Sequence, residues 1–178
     1  MSLTIAWRDK LEFGENPQSA DFDRFSAFVV GWVEKTGDGR KVNDQIEMLG
    51  ILSQVENIKS KRISSTDKAT GVEKSLAWLA RATGLLELLP EGRERMAALA
   101  DVQFRSADAH TTADEFAAAI SSLDLAHSLF SQVDMKRQAT KAQQKKALIL
   151  QLWIYEAYLL KAVPPGDVDT VLNNMLGD

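Results

Sequence analysis

The chain reads as all-α: a single-domain bundle of six or seven helices around a buried hydrophobic helix near 147–163, with a short extended N-terminal arm. Three observations predict this. Apolar residues recur at three- and four-residue steps through most of the sequence, which places them on one face of a helix. Turn signals separate these stretches, and no β-hairpin signature joins any two of them. The third is the segment 147–163, ALILQLWIYEAYLLKAV, where only Gln151, Glu156 and Lys161 interrupt the apolar residues. Positions five apart lie about 140° apart around a helix axis, so these polar residues form no wet face. A helix of that kind is surrounded by protein, lipid or a partner.

The elements follow in order. In residues 1–15, Leu3, Ile5 and Trp7 alternate with polar or small residues, as in a short strand or an extended arm. Asn16-Pro17 marks a break. From Ser19, a first helix carries Phe22, Phe25, Phe28, Val29, Trp32 and Val33, with Asp21 and Asp23 in its opening turns, where the helix dipole favours them. Gly37-Asp38-Gly39 ends it. A second helix sets Val42, Ile46, Leu49, Leu52, Val55 and Ile58 on one stripe, weakened at Gly50 by about 1 kcal/mol relative to alanine. Residues 59–70, SKRISSTDKATG, form a polar loop.

Thr70 with Glu73 resembles a capping box opening a third helix, which bears Val72, Leu76, Leu79, Leu86 and Leu89 and stops near Pro90. Pro90-Glu91 starts a fourth, with Met96, Leu99 and Val102 on its apolar side. Thr112 with Glu115 forms a second capping box, opening a fifth helix striped by Phe116, Ile120, Leu123, His127 and Phe130. The sixth runs from Lys136 to Val163 and ends at Pro164-Pro165-Gly166. Asp167 then caps a last short helix with Val168, Val171, Leu172, Met175 and Leu176. The chain divides into an arm, 1–15, and one helical domain, 16–178. No internal repeat of fixed period is visible.

Composition narrows the function classes. The 178 residues include no cysteine, which removes disulfide scaffolds, thiolate nucleophiles and Cys-ligated metals and fits a reducing, cytoplasmic setting. The N-terminus lacks the pattern of a signal peptide. A net charge of −4 argues against a surface given over to nucleic acid. The segment 147–163 is at the short end of the roughly 17–25 residues that span a bilayer, and a carboxylate such as Glu156 is costly there; no membrane is expected. His110 and His127 are the only histidines. They form no His-Glu-x-x-His or Glu-x-x-His pair, and no phosphate-binding glycine loop or Gly-x-Ser-x-Gly elbow occurs. The expectation is a non-enzymatic protein with no catalytic residue, metal or cofactor.

One charge pattern stands out. Residues 136–146 hold Lys136, Arg137, Lys141, Lys145 and Lys146 and no acid. Arg137, Lys141 and Lys145 are spaced i, i+4, i+8 and make one stripe, at a helix end where the macrodipole disfavours cations. Lys59, Lys61 and Arg62, with Lys68 further along, form a second cluster. Together the two would suit phosphates or an acidic partner. Against this, Asp124 and Asp134 on the neighbouring helix can neutralise the stripe through exposed ion pairs worth about 0–1 kcal/mol each. Trp32 and Trp153 belong to the core, whereas Trp78 and Trp7 are candidates for an exposed contact.

These readings point to a non-catalytic helical protein-binding module: an adaptor, an inhibitor or immunity-type protein, or a structural subunit. Its expected contact residues are Arg137, Lys141, Lys145, Lys61, Arg62, Trp78 and Trp7. One alternative is nucleic-acid or phosphate-ligand binding through the stripe 136–146 and the loop 59–68. A second is a small apolar ligand held between helices by Trp153, Tyr155 and Tyr158. Homo-oligomerisation through the sixth or seventh helix is a further expectation, because a chain of this size has few neighbours to cover every side of 147–163.

Overall fold

The computed structural model describes residues 2–13, 17–34, 42–62 and 68–159, which form seven helices and no strand. They are α1 (Ser2–Phe13), α2 (Ser19–Glu34), α3 (Val42–Arg62), α4 (Lys68–Leu86), α5 (Arg93–Thr112), α6 (Phe116–Gln132) and α7 (Lys136–Leu159). The all-α bundle stands. The N-terminal segment, however, is a helix rather than an extended arm. Trp7 and Leu11, four residues apart, share one face: Leu11 is buried and Trp7 packs edge-on against Phe25 of α2 at 5.2 Å. The alternation of Leu3, Ile5 and Trp7 fits a strand, but Asp9 would fall on the same apolar side, whereas the step of four from Trp7 to Leu11 fits a helix face.

The first core is built from α1 to α4 with Val102 of α5. From α2 come Phe22, Phe25, Val29 and Val33, all buried. This helix begins with half of a capping box: the Gln18 N–H donates to the Asp21 carboxylate at 3.0 Å. From α4 come Leu79, Ala82 and Leu86. The sequence pattern opens that helix at Thr70, but it already starts at Lys68, so Thr70 lies inside it and caps nothing.

The central helix is α3, not the apolar segment near 147–163. It packs against α1, α2, α4 and α5, and from Met48 to Asn57 every residue but Gln54 is buried. Small polar residues make this feasible. The Ser53 and Ser75 hydroxyls meet across the α3–α4 contact at 2.7 Å, and Ser60 returns its hydroxyl to the Glu56 carbonyl at 2.8 Å. The buried hydroxyls of Ser53, Ser60 and Ser75 are thereby paired, which avoids a desolvation cost of about 1–3 kcal/mol each. Gly71 of α4 allows the helices to close: a Cβ there would lie 1.8 Å from the Ser60 hydroxyl oxygen. Gly50 does the same for α5, since a Cβ would meet the Arg105 guanidinium nitrogen Nε at 2.9 Å.

The second half, α5 to α7, is a succession of antiparallel hairpins in which each helix packs chiefly on its neighbours in sequence. Its two small cores hold Ala107, Ala119 and Ala142 in one and Ala100, Ala126 and Ala139 in the other, around Phe116, Leu123, Phe130 and Ile149. Alanines at these crossings let the helix axes approach closely. The stripe expected on α6 is therefore shifted: Ala119 and Ala126 are fully buried, while Ile120 and His127 are half-buried.

Both connections in this half use the same turn. The N–H of Asp114 bonds the Thr111 carbonyl and that of Glu115 the His110 carbonyl; the N–H groups of Asp134 and Met135 bond the Ser131 and Phe130 carbonyls in the same way. This is the Schellman arrangement. Its left-handed position is filled by aspartate in both, at φ 63° and 59°. Thr112 is consequently the last residue of α5 and not the opening of a capping box. Its hydroxyl bonds the Asp108 carbonyl within the helix at 2.8 Å.

The segment near 147–163 is peripheral as far as it is described. Ala142, Ile149 and Leu150 face inward, and Trp153 stacks on Phe116 of α6 at 6.1 Å. Its neighbour is α6, and Leu148, Leu152 and Tyr155 are exposed. The expected last helix and residues 63–67 of the expected polar loop lie outside the described residues, while residues 59–62 and 68–70 of that loop belong to α3 and α4.

Candidate protein-binding surface

The outer face of α7 is the most distinctive surface. Leu148, Leu152 and Tyr155 are 65%, 40% and 60% exposed. Their spacing of four and three residues aligns them along one side of the helix. Arg137 and Lys141 continue that line toward the N-terminus, both exposed and without an acidic partner among the described residues. One helix face thus carries two cations at one end and three large apolar groups at the other.

The rest of the basic stripe is engaged. Lys145 turns back toward α5, forming an ion pair with Asp108 at 2.5 Å and lying 4.2 Å above the Phe104 ring. Lys146 reaches both carboxylate oxygens of Asp124, at 2.8 and 3.0 Å, and Lys136 lies 3.6 Å from Asp134. Acids of α5, of α6 and of the turn between α6 and α7 therefore pair with three of the five cations. In the second cluster, Lys59 pairs with Asp23 of α2 at 2.6 Å. Lys61 is exposed beside a small cleft that Asp108 also lines. Asp108 thus lies beside both clusters, paired with Lys145 and lining the same cleft as Lys61. Arg62 is the last residue of α3.

Both candidate tryptophans are partly covered by their neighbours. Trp7 is half-buried between Phe25 and Phe28. Trp78 is half-buried at the edge of the first core, with the Arg81 guanidinium 6.0 Å from its ring. Of the residues expected to hold an apolar ligand, Trp153 packs inward on Phe116 and Tyr155 faces outward, on nearly opposite sides of α7. The side chain of Tyr158 lies outside the described residues.

Both histidines are engaged by neighbouring groups. Nδ1 of His127 is 3.0 Å from the Ala139 carbonyl; a carbonyl only accepts, so this nitrogen is the donor. Its Nε2 lies 3.2 Å from the Gln143 amide. His110 is in the last turn of α5 and spans the Schellman turn to Glu115 at 2.7 Å. No group of three potential metal-ligating side chains occurs among the described residues. No described helix is long and apolar enough to cross a membrane.

A polar seam between α3 and α5 escapes the apolar-stripe reading. Gly50, Gln54, Asn57 and Lys61 on α3 face Arg105 and Asp108 on α5, and Asp101 holds Arg105 at 2.6 Å. Glu12 of α1 closes one end, leaving a cleft of about 100 Å³. The buried Asn57 Oδ1 and Arg105 Nη1 have no protein partner. The signal was present as polar residues at steps of four and three on both helices, but it is visible only once the two are known to be neighbours.

No protein-family model, no curated protein and no solved structure matches the chain.

Proposed function

We propose that this chain is a non-catalytic protein-binding module that docks its partner on the outer face of α7. The observation that carries the reading is the line of Leu148, Leu152 and Tyr155, left exposed on a helix that buries Ala139, Ala142, Ile149 and Leu150 on its side toward α6. Large apolar side chains grouped on a surface are the usual anchors of an interface, with tyrosine prominent among them. Arg137 and Lys141 add attraction for acidic groups at one end. The partner that fits has an apolar stripe flanked by carboxylates.

The test compares capture by the native chain with capture by Leu148→Glu and Tyr155→Ala, helical content being checked by circular dichroism. Each substitution should weaken the complex about tenfold or more. Equal capture by all three proteins would sink the proposal. A phosphate- or nucleic-acid-binding reading retains support from the same exposed Arg137 and Lys141. It requires binding that falls steeply with salt and is indifferent to Tyr155→Ala.

A further inference from the structure

We infer that the occupant of this face is a second copy of the same chain, with the two α7 helices antiparallel about a two-fold axis beside Leu148. The inference rests on the α7 docking reading and specifies its partner. Two observations lead to it, the first being spacing. Lys141, Lys145, Leu148, Leu152 and Tyr155 succeed one another at steps of four, three, four and three, the spacing of the core positions of a helix-to-helix seam. Lys145 does not obstruct that seam, because it is drawn back to Asp108 and Phe104. The shape that fits such a face is another helix.

Charge supplies the second observation and selects the helix. The cations Arg137 and Lys141 lie on the N-terminal half of the face, and the Tyr155 ring and the Glu156 carboxylate on the C-terminal half. With Leu148 on the two-fold axis, residues equidistant from it meet. Lys141 is seven residues before Leu148 and Tyr155 seven after it, so each Lys141 faces Tyr155 and Glu156 of the other copy. A cation then meets an aromatic face and a carboxylate, while the helix dipoles oppose each other. Because the interface is isologous, each of these contacts is made twice. Parallel pairing would instead set Lys141 against Lys141. The seam is short beside the roughly 800 Å² per partner of a stable interface, so the dimer dissociates on dilution.

Sedimentation equilibrium of the full chain over a roughly hundredfold concentration range reads this directly. The mass should rise from one chain to two, and Leu148→Glu should hold it at one. Lys141→Glu or Glu156→Lys alone should weaken association about tenfold, and the two together should restore it. Because the chain has no cysteine, Leu148→Cys should oxidise to a linked dimer, whereas Leu88→Cys, exposed elsewhere, should not. A mass of one chain at every concentration, a charge swap that fails to restore pairing, or equal cross-linking at Leu88 would each overturn the inference. If the native chain is monomeric yet Leu148→Glu still abolishes capture of another protein, self-pairing fails and the docking reading survives. If Leu148→Glu changes neither measurement, both fall.

Discussion

Helices α3 and α7 reverse the ordinary relation between composition and burial. The longest apolar run in the chain begins in α7, yet Leu148, Leu152 and Tyr155 face outward there. In α3 an Asn, a Glu, two Ser and a Gly intervene among the apolar residues, yet all five are buried. Neighbours make the difference. Four helices pack around α3, its serines satisfy their hydroxyls inside the fold, and glycines at 50 and 71 make room for contacts that a Cβ would obstruct. The principal neighbour of α7 is α6 alone. An apolar residue is buried only when another element arrives to cover it, and a polar residue is buried at little cost when its hydrogen bonds are made.

Substitutions can break this contrast in graded steps. The largest effect belongs to Leu52, fully buried in α3. Leu52→Ala should lower the unfolding free energy by about 2–5 kcal/mol, measured by urea denaturation. Next is the Ser53–Ser75 pair. Ser53→Ala leaves the Ser75 hydroxyl buried and unpaired and should cost about 1–3 kcal/mol. Adding Ser75→Ala should cost less than its single effect, so a double-mutant cycle will show coupling.

Smaller changes sharpen the contrast from the α7 side. Asp134 holds the left-handed turn position before α7 at φ 59°, a conformation that glycine adopts without strain. Asp134→Gly should therefore raise stability by about 0.5 kcal/mol, read as a small increase in the denaturation midpoint. The smallest effect on the fold should come from Leu148→Ala, within about 0.5 kcal/mol of the native chain. Measured on the dilute monomer, a loss there as large as that of Leu52→Ala would show that the outer face of α7 is covered within the chain itself.

Much of the helical order was legible because the relevant signals are local. The stripe Phe22, Phe25, Val29, Val33 and the break at Asn16-Pro17 bound α2 correctly. The capping boxes misled at both positions. At Thr112 the hydroxyl is consumed by its own helix, and the real stop is an aspartate in the left-handed region, which no composition rule for glycine detects. The recurrence of that turn at Asp134 was equally hidden, since the residues around the two aspartates share little. In the candidate site, the basic stripe was readable as charge, but its neutralisation required knowing that Asp108 and Asp124 lie across from Lys145 and Lys146. How far Trp7 and Trp78 are covered is decided by neighbours from other helices, which a single helix does not show.

What the amino-acid order alone determined is the class of structure: helical periodicity, turn positions, and the absence of thiol chemistry, since these depend on residues within a few positions of one another. Which helix lies at the centre, which cations remain free and which apolar face stays open were decided only in the tertiary structure. Those outcomes depend on contacts between residues far apart in sequence, and a side chain's surroundings are set by whichever helix packs against it.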